Sequence, residues 1–393
     1  MSVPHAGPAG ERLGVAILGA TGSIGRSALA VLEQHPERFR AVALTAHRNA
    51  EALQELTGRW APEVAVLVDA PVPGPAPGGT EWLSGPDALL EVVTRPDVDI
   101  VLNALVGAAG LEPTLAALRA GKRVALANKE TLVCGGDLVL RAAAEGGGVL
   151  VPVDSEHSAI LQCLQGSRDR AVERVVLTAS GGPFRNLPAE RLAAVRPADA
   201  LRHPTWSMGA KITIDSATLA NKALEVVEAH FLFGLGYDRI GAVVHPQSIV
   251  HSMVEFVDGS VLAQMGFPTM EIPILYAFTY PERLPYRARR FDPLAAGALT
   301  FEPIREACFP AFGLGVAAGR AGGGAPAVFN AANEVAVAAF LAERIGFCGI
   351  SDTIEHVLTR WTGGEVHTLQ DVLEADAWGR RTARTFIQTQ ASC

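Results

Sequence analysis

Cysteine is scarce in this 393-residue chain, with five residues at positions 134, 163, 308, 348 and 393. They are scattered, odd in number and form no C-x-x-C pair. That argues against a disulfide framework or a cysteine-based zinc site and fits a reducing compartment. Charge is sparse as well: 19% of residues are charged, against 49% hydrophobic. This balance excludes a disordered chain and supplies a sizeable core. No apolar run reaches the ~18 residues of a membrane span. The start, Met1–Gly14, lacks the apolar run of a secretory signal and is too short and Arg-poor for an organelle transit segment. Acidic residues outnumber basic ones, 41 to 33, for a net charge of −8. No footprint for nucleic acid or a membrane surface follows from that, and any anion must be held by a local cluster. The expectation is a soluble cytoplasmic protein.

Glycine (40) and proline (25) are plentiful but aperiodic, which excludes collagen and repeat arrays. At ~150 residues per domain, the length suggests two or three domains. Short Val-, Leu- and Ala-rich runs at Val15–Leu18, Ala41–Ala46, Val64–Val68, Ile100–Leu105, Arg123–Ala127 and Leu150–Val153 read as strands buried on both faces, hence parallel. Helical patterns at Ser23–Gln34, Glu51–Thr57, Pro86–Val93 and Thr114–Arg119 separate them. Pro71–Gly79 reads as a surface loop. The alternation predicts an α/β protein whose N-terminal part, 1–153, is a doubly wound, Rossmann-like parallel sheet.

From Asp154 the rhythm changes. Val175–Leu177, Ala242–His245, Ser252–Phe256 and Val261–Met265 read as strands without crossover helices, the last two joined at an Asp258-Gly259 turn. One helix is expected over roughly Ala217–Phe233. This is α+β texture, over 154–285. Pro, Arg and Asp then dominate from Tyr280 to about Phe301, giving a linker placed at 286–305. Asn333–Glu343, Ser351–Arg360 and Leu369–Gln388 have helical spacing, so 306–393 reads as a small helical domain.

Gly19-Ala20-Thr21-Gly22-Ser23-Ile24-Gly25 follows the first strand and opens the first helix. Bare glycine permits the turn and a close pyrophosphate, and the helix start offers free N–H groups. Its G-x-x-G-x-x-G spacing departs from the commoner dinucleotide fingerprint. After the second strand come His47, Arg48 and Asn49, with no acid for a ribose 2′-hydroxyl. Arg48 suits a 2′-phosphate instead, which points to NADP; a solvated surface Arg is the plain alternative. Asn128-Lys129-Glu130 ends another strand, where α/β proteins bind ligands; a surface Lys–Glu pair would look the same.

Val153-Asp154-Ser155-Glu156-His157 follows the next strand. Read as extended, it points Asp154 and Glu156 the same way. Crowded carboxylates need a cation, and hard oxygens suit Mg²⁺ or Mn²⁺. A helix cap at Asp154 is the alternative. Ser216, Asn221, Lys222 and Glu225 lie in a helical stretch. Asn221 and Glu225 share a face, and the Ser/Asn/Lys set suits a phosphate, although an ordinary amphipathic helix also fits. Ser180-Gly181-Gly182 ends a strand with small residues. His203–Gly209 is a loop whose Trp206 suits a water-excluding lid or an interface plug. His245 and His251 flank apolar strands and read as core.

GATGSIG, ANKE, VDSEHSAI, ASGGPFR, HPTWSMGAKITIDSATLANKALE, VVHPQSIVHSMVEF and NAANEVAVAAFL, in this order from about residue 13 to 380, closely resemble the 1-deoxy-D-xylulose 5-phosphate reductoisomerase family. The resemblance implies a cytoplasmic homodimer using NADPH and Mg²⁺ or Mn²⁺. It implies conversion of that sugar phosphate to 2-C-methyl-D-erythritol 4-phosphate, on the non-mevalonate route to isoprenoid precursors. The domain at 154–285 would then carry catalysis and dimerisation. By motif matching, NADPH meets Thr21, Gly22, Ser23, Ile24, His47, Arg48, Asn49, Asn128, Glu130 and Gly209. Many family members have Gly at position 47, where the backbone of His47 can still serve. The metal ligands are Asp154, Glu156 and Glu225. Substrate meets Lys129, Ser155, Glu156, Ser180, His203, Trp206, Ser216, Asn221, Lys222 and Glu225, with Lys129, Glu156, His203 and Glu225 nearest the chemistry.

Two other classes compete. A semialdehyde-type NADP dehydrogenase would want a Cys nucleophile beside a His in the second domain, which is absent. A non-catalytic NADP sensor would not need three acids and a phosphate cluster.

Overall fold

The computed structural model describes residues 12–73, 79–167, 171–206, 208–287 and 289–391. Positions 74–78 of the Pro/Gly loop, Ser207 and Cys393 lie outside them. Two compact units emerge, and their described parts lie within Met1–Thr131, Asp137–Ser158 and Thr269–Ala288 for the first, and Leu132–Gly136, Ala159–Pro268 and Arg289–Cys393 for the second.

In the first unit, β1 (Leu13–Leu18), β2 (Phe39–Ala46), β3 (Val64–Leu67), β4 (Glu81–Ser84), β5 (Ile100–Asn103), β6 (Arg123–Leu126) and β7 (Val149–Pro152) form one parallel sheet. Its order is β4-β3-β2-β1-β5-β6-β7. Val15, Ala16, Ile17 and Leu18 are fully buried, as a strand covered on both faces requires. Connecting helices are α1 (Ser23–Gln34), α2 (Ala50–Trp60), α3 (Asp87–Thr94), α4 (Leu111–Arg119), α5 (Glu130–Gly146) and α6 (Ser155–Cys163). The strand order reverses between β1 and β5, the crevice where such sheets take ligands.

β4 is the strand that sequence reading leaves out. It is a four-residue edge strand with exposed ends, so it carries no apolar run to detect. Residues 269–287 return to this unit. There the helix Glu271–Thr279 packs on α1 and β6, and Phe278 meets Phe39 edge-on at 5.7 Å.

The second unit centres on a mixed sheet of β8 (Val172–Ala179), β9 (Ile240–Val244), β10 (Val250–Phe256) and β11 (Val261–Met265), ordered β11-β10-β8-β9. Gly259 at φ +84° makes the expected turn between β10 and β11. The helices are α7 (Pro197–Ala200), α8 (Ala210–Thr218) and α9 (Ala220–Phe233), followed, after Glu271–Thr279 (α10), by α11 (Pro293–Ala296), α12 (Pro310–Ala321), α13 (Ala325–Leu341), α14 (Cys348–Leu358) and α15 (Leu369–Ala391). Val226 and Ala229 of α9 share a core with Val175, Leu177 and Val254 of the sheet. The C-terminal helices belong to the same unit, α12 against α9 and α13 against α8.

The single helix expected over Ala217–Phe233 is in fact two. Leu219, at φ +60°, ends α8 and caps α9. No Gly or Pro marks the break, so periodicity runs through it unseen. Asp215 and Ser216 therefore sit in the last turn of α8.

The Gly19 turn is shaped by contact. Gly19 has φ +86° and lies where a Cβ would stand 2.8 Å from the Ala104 carbonyl oxygen. A Cβ on Gly25 would stand 2.5 Å from the Gly19 oxygen and 2.6 Å from the Ala20 Cα, whereas one on Gly22 would meet nothing nearer than 3.4 Å. Gly25→Ala should therefore cost on the order of 1–3 kcal/mol in denaturant unfolding. Gly22→Ala should stay within about 0.5 kcal/mol of the parent. Equal stability losses at the two positions would show that packing does not distinguish them.

Candidate active site

The first helix begins beside the switch point. Gly22 caps α1 without a side-chain bond, and the turn is braced from β2, where Thr45 Oγ1 accepts from Gly19 N at 3.1 Å. Thr21 and Ile24 are half-buried, while Gly22 and Ser23 are exposed. This leaves a helix start with free N–H groups facing out, as an anion requires. At the end of β2, Arg48 turns its Nε to Asp69 Oδ2 at 2.7 Å and its Nη2 to the same oxygen. Asn49 caps α2 by accepting from Ala52 N.

Asn128 is buried. Its Nδ2 donates to the carbonyls of Leu105 and Gly107, both at 2.9 Å, and its Oδ1 accepts from Thr131 N. It thus fastens the loop after β5 to the start of α5. Lys129 is buried too, and its Nζ meets Asp154 Oδ2 at 2.6 Å. Lys129 and Glu130 are both buried, so this is not a solvated surface pair. Asp154 is also not extended in register with Glu156. α6 starts at Ser155, and Ser158 N donates to the Asp154 carbonyl at 2.8 Å. Both acids belong to a helix start, which the residue types alone do not separate from a strand end. Ser155 Oγ bonds Glu156 Oε2.

The second unit gathers several residues expected to meet substrate. Ser180 follows β8, Ser216 ends α8, and His203 Nε2 lies 3.0 Å from Ser180 Oγ and 3.1 Å from Ser216 Oγ. His203 Nδ1 accepts from the N–H groups of Thr205 at 3.1 Å and Trp206 at 2.9 Å. Two donors on Nδ1 place the proton of the neutral ring on Nε2. Whichever serine accepts that proton keeps its own O–H for an anion. Burial lowers the His203 pKa, in keeping with a neutral ring. In the first turns of α9, Glu225 accepts from Asn221 and from Lys222, and Lys222 also donates to the Thr178 carbonyl. Lys222 and Glu225 are both buried, so this is no solvated helix-face pair. Trp206 is half-buried, and Gly209 starts α8 as its N-cap. His245 is a core residue, bonded to Thr300 O and Ile249 N and stacked on Phe301.

Three family models cover most of the chain: 1-deoxy-D-xylulose 5-phosphate reductoisomerase over residues 15–136, its C-terminal domain over 150–233, and a DXP reductoisomerase C-terminal domain over 265–382. The chain belongs to this family. The 1-deoxy-D-xylulose 5-phosphate reductoisomerase of Thermosynechococcus vestitus is 49% identical over 386 residues, 96% of this chain and 93% of that protein. That of Aromatoleum aromaticum is 52% identical over 385 residues, 95% and 96% of the two chains. Among solved structures, the Zymomonas mobilis reductoisomerase in complex with NADPH aligns at TM-score 0.88 and 41% identity, covering 96% of this chain and 99% of that one. A DOX-P reductoisomerase in complex with NADPH, fosmidomycin and magnesium aligns at 0.89 and 40%, covering 96% and 98%.

Two networks in this reductoisomerase escape a reading by motif. Asp215, buried beside Ser216, accepts from Lys211 Nζ at 2.8 Å and from Asn333 Nδ2 of α13 at 2.8 Å. Asp69 holds Arg48, with His47 Nε2 3.9 Å away. A signal for Asp69 exists, because it stands just past β3, at the ligand end of the sheet.

His203 makes a pH prediction. Its folded pKa lies below the unfolded value, so the unfolded chain binds a proton that the folded ring refuses. The neutral ring's contribution is whole above about pH 6.5 and is lost as pH falls below it. His203→Gln should flatten the fall in unfolding free energy on acidification between about pH 7.5 and about pH 5.5. An unchanged slope in the variant would mean that His203 does not carry this term.

Proposed function

We infer that this reductoisomerase carries out the reaction of its family. It is an NADPH- and divalent-metal-dependent rearrangement and reduction of 1-deoxy-D-xylulose 5-phosphate to 2-C-methyl-D-erythritol 4-phosphate. The observation that carries the phosphate end is the Ser180–His203–Ser216 set, three neutral polar groups converging beside the start of α9. We place NADPH on Thr21, Gly22, Ser23 and Ile24 and on the segments at His47–Asn49, Asn128–Glu130 and Gly209, with Arg48 reading the 2′-phosphate. Asp154, Glu156 and Glu225 fit a hard divalent ion, Mg²⁺ or Mn²⁺, by their all-oxygen donor set. In this structure the cations beside Asp154 and Glu225 are lysines, as burial of a carboxylate demands.

A divalent ion held by Asp154, Glu156 and Glu225 would supply charge stabilisation, and NADPH at the Gly19–Gly25 turn would supply the hydride of the reduction. The chain's residues do the positioning. Asn221 and Lys222 fix the Glu225 carboxylate, and Lys129 fixes Asp154. The serine O–H groups, oriented by the Nε2–H of His203, grip the phosphate, so that remote binding energy orients the reacting carbons. Trp206 covers the site against water. A homodimer is supported by β11, an edge strand with exposed Val261 and Leu262, since bare apolar edges invite pairing. Cys308 and Cys348 are free, and no helix among the described residues is long and apolar enough to cross a membrane. The free thiols accord with a reducing compartment such as the cytoplasm.

The deciding experiment is substrate-dependent NADPH oxidation with and without chelator. Activity should vanish with chelator and return with Mg²⁺ or Mn²⁺. Full activity in chelator would remove the metal from the mechanism. In Glu225→Gln the metal concentration for half-maximal rate should rise about tenfold or more, the scale on which even outer ligand changes act. Loss of the buried pair with Lys222 should also cost on the order of 3 kcal/mol of stability. An unchanged metal midpoint would take Glu225 out of the metal site.

A further inference from the structure

The cation expected to read the 2′-phosphate already has an anionic partner. Asp69 Oδ2 accepts both Nε, at 2.7 Å, and Nη2 of Arg48, the two donors along one edge of the guanidinium. The Asp69 N–H also donates to the His47 carbonyl at 2.9 Å, so the segments after β2 and β3 are tied by backbone as well as by charge. The Arg48 guanidinium holds the Asp69 carboxyl below the usual carboxylate range, so Asp69 is ionised at neutral pH. Both side chains are more than half exposed, 71% for Arg48 and 55% for Asp69. Such a pair exchanges partners easily.

We propose that Asp69 is a specificity-determining residue that competes with the NADPH 2′-phosphate for Arg48 and so sets how strongly this enzyme prefers NADPH to NADH. The proposal rests on Arg48 as the phosphate reader. A phosphate monoester is close to dianionic at neutral pH. Asp69 occupies the Nε–Nη2 edge of Arg48, so a phosphate on that edge displaces the carboxylate, and one on the Nη1–Nη2 edge shares Nη2 with it and meets a like charge close by. NADH puts only a hydroxyl at that position, which a carboxylate can accept, as acids do in NAD sites. Asp69 therefore works against one cofactor and not the other. The device also has a use. NADPH and NADP⁺ carry the same 2′-phosphate, and a grip common to both adds affinity without rate. A built-in competitor keeps Arg48 ordered while weakening the hold on substrate and product cofactor alike.

The test is direct titration of the whole enzyme with NADPH and with NADH, without turnover, for the parent, Asp69→Asn, Asp69→Ala, Arg48→Ala and the Arg48→Ala/Asp69→Ala double variant. Both Asp69 variants should bind NADPH more tightly, by roughly two- to fivefold, the range of an exposed ion pair. NADH should not gain. The alanine variant guards against an asparagine amide that itself donates to the phosphate. In the double variant the gain should disappear, because it acts through Arg48. Arg48→Ala with an unchanged NADPH/NADH ratio would overturn Arg48 as reader and the proposal with it. A lowered ratio in Arg48→Ala, together with unchanged or weaker NADPH binding in the Asp69 variants, would leave the reader in place and overturn the competition.

Discussion

One left-handed residue sets the geometry around Ser216 and the start of α9. Leu219 takes φ +60°, a conformation that costs a residue with a Cβ about 1 kcal/mol or more. Its side chain is 3% exposed, and burial of a leucine offsets that cost. The break places Ser216 in the last turn of α8 beside His203, then restarts the chain as α9 with Asn221, Lys222 and Glu225 in its first turns. In an unbroken helix, Ser216 and Asn221 would stand about 140° apart around the axis. A continuous helix would turn the two away from each other.

The C-terminal helices act on the same place from behind. Asp215 is buried next to Ser216 and takes a hydrogen bond from Asn333. A buried carboxylate with good partners resists movement, because moving it leaves the charge unpaired. α13 thereby holds the end of α8 in register through one side chain. This gives the Ala-rich segment near the C-terminus a part in the site, although it contributes no residue to the proposed ligand contacts.

Much of this was legible in the residues, and the rest was hidden for physical reasons. Buried strands announce themselves by unbroken Val, Leu and Ala, so β1, β2, β5 and β6 could be read, and the Asp258-Gly259 turn follows from turn chemistry. β4 could not, because an exposed four-residue edge has no pattern. The break at Leu219 left no Gly or Pro. The return of 269–287 to the first sheet rests on contacts such as Phe39 with Phe278, more than two hundred residues apart in sequence. The site motifs were visible as letters, yet the pairing of Lys129 with Asp154 depends on β6 and β7 lying side by side. Local spacing does not encode it.

The pairings also explain how an acidic protein can hold a phosphorylated cofactor and a sugar phosphate. Lys129, Lys222, Lys211 and Arg48 each have a carboxylate partner before any ligand arrives. An ordered cation binds an anion with less loss of side-chain freedom than a loose one. Burial then separates two uses of the same arrangement. The Lys222–Glu225 pair is nearly inaccessible to water, so breaking it exposes a bare charge to a poor solvent, and it serves as fixed geometry. The Arg48–Asp69 pair stands in water, where exchange costs little, and it can tune affinity without disturbing the fold. The position of each pair, more than the count of charges, decides whether it behaves as scaffold or as adjustable contact.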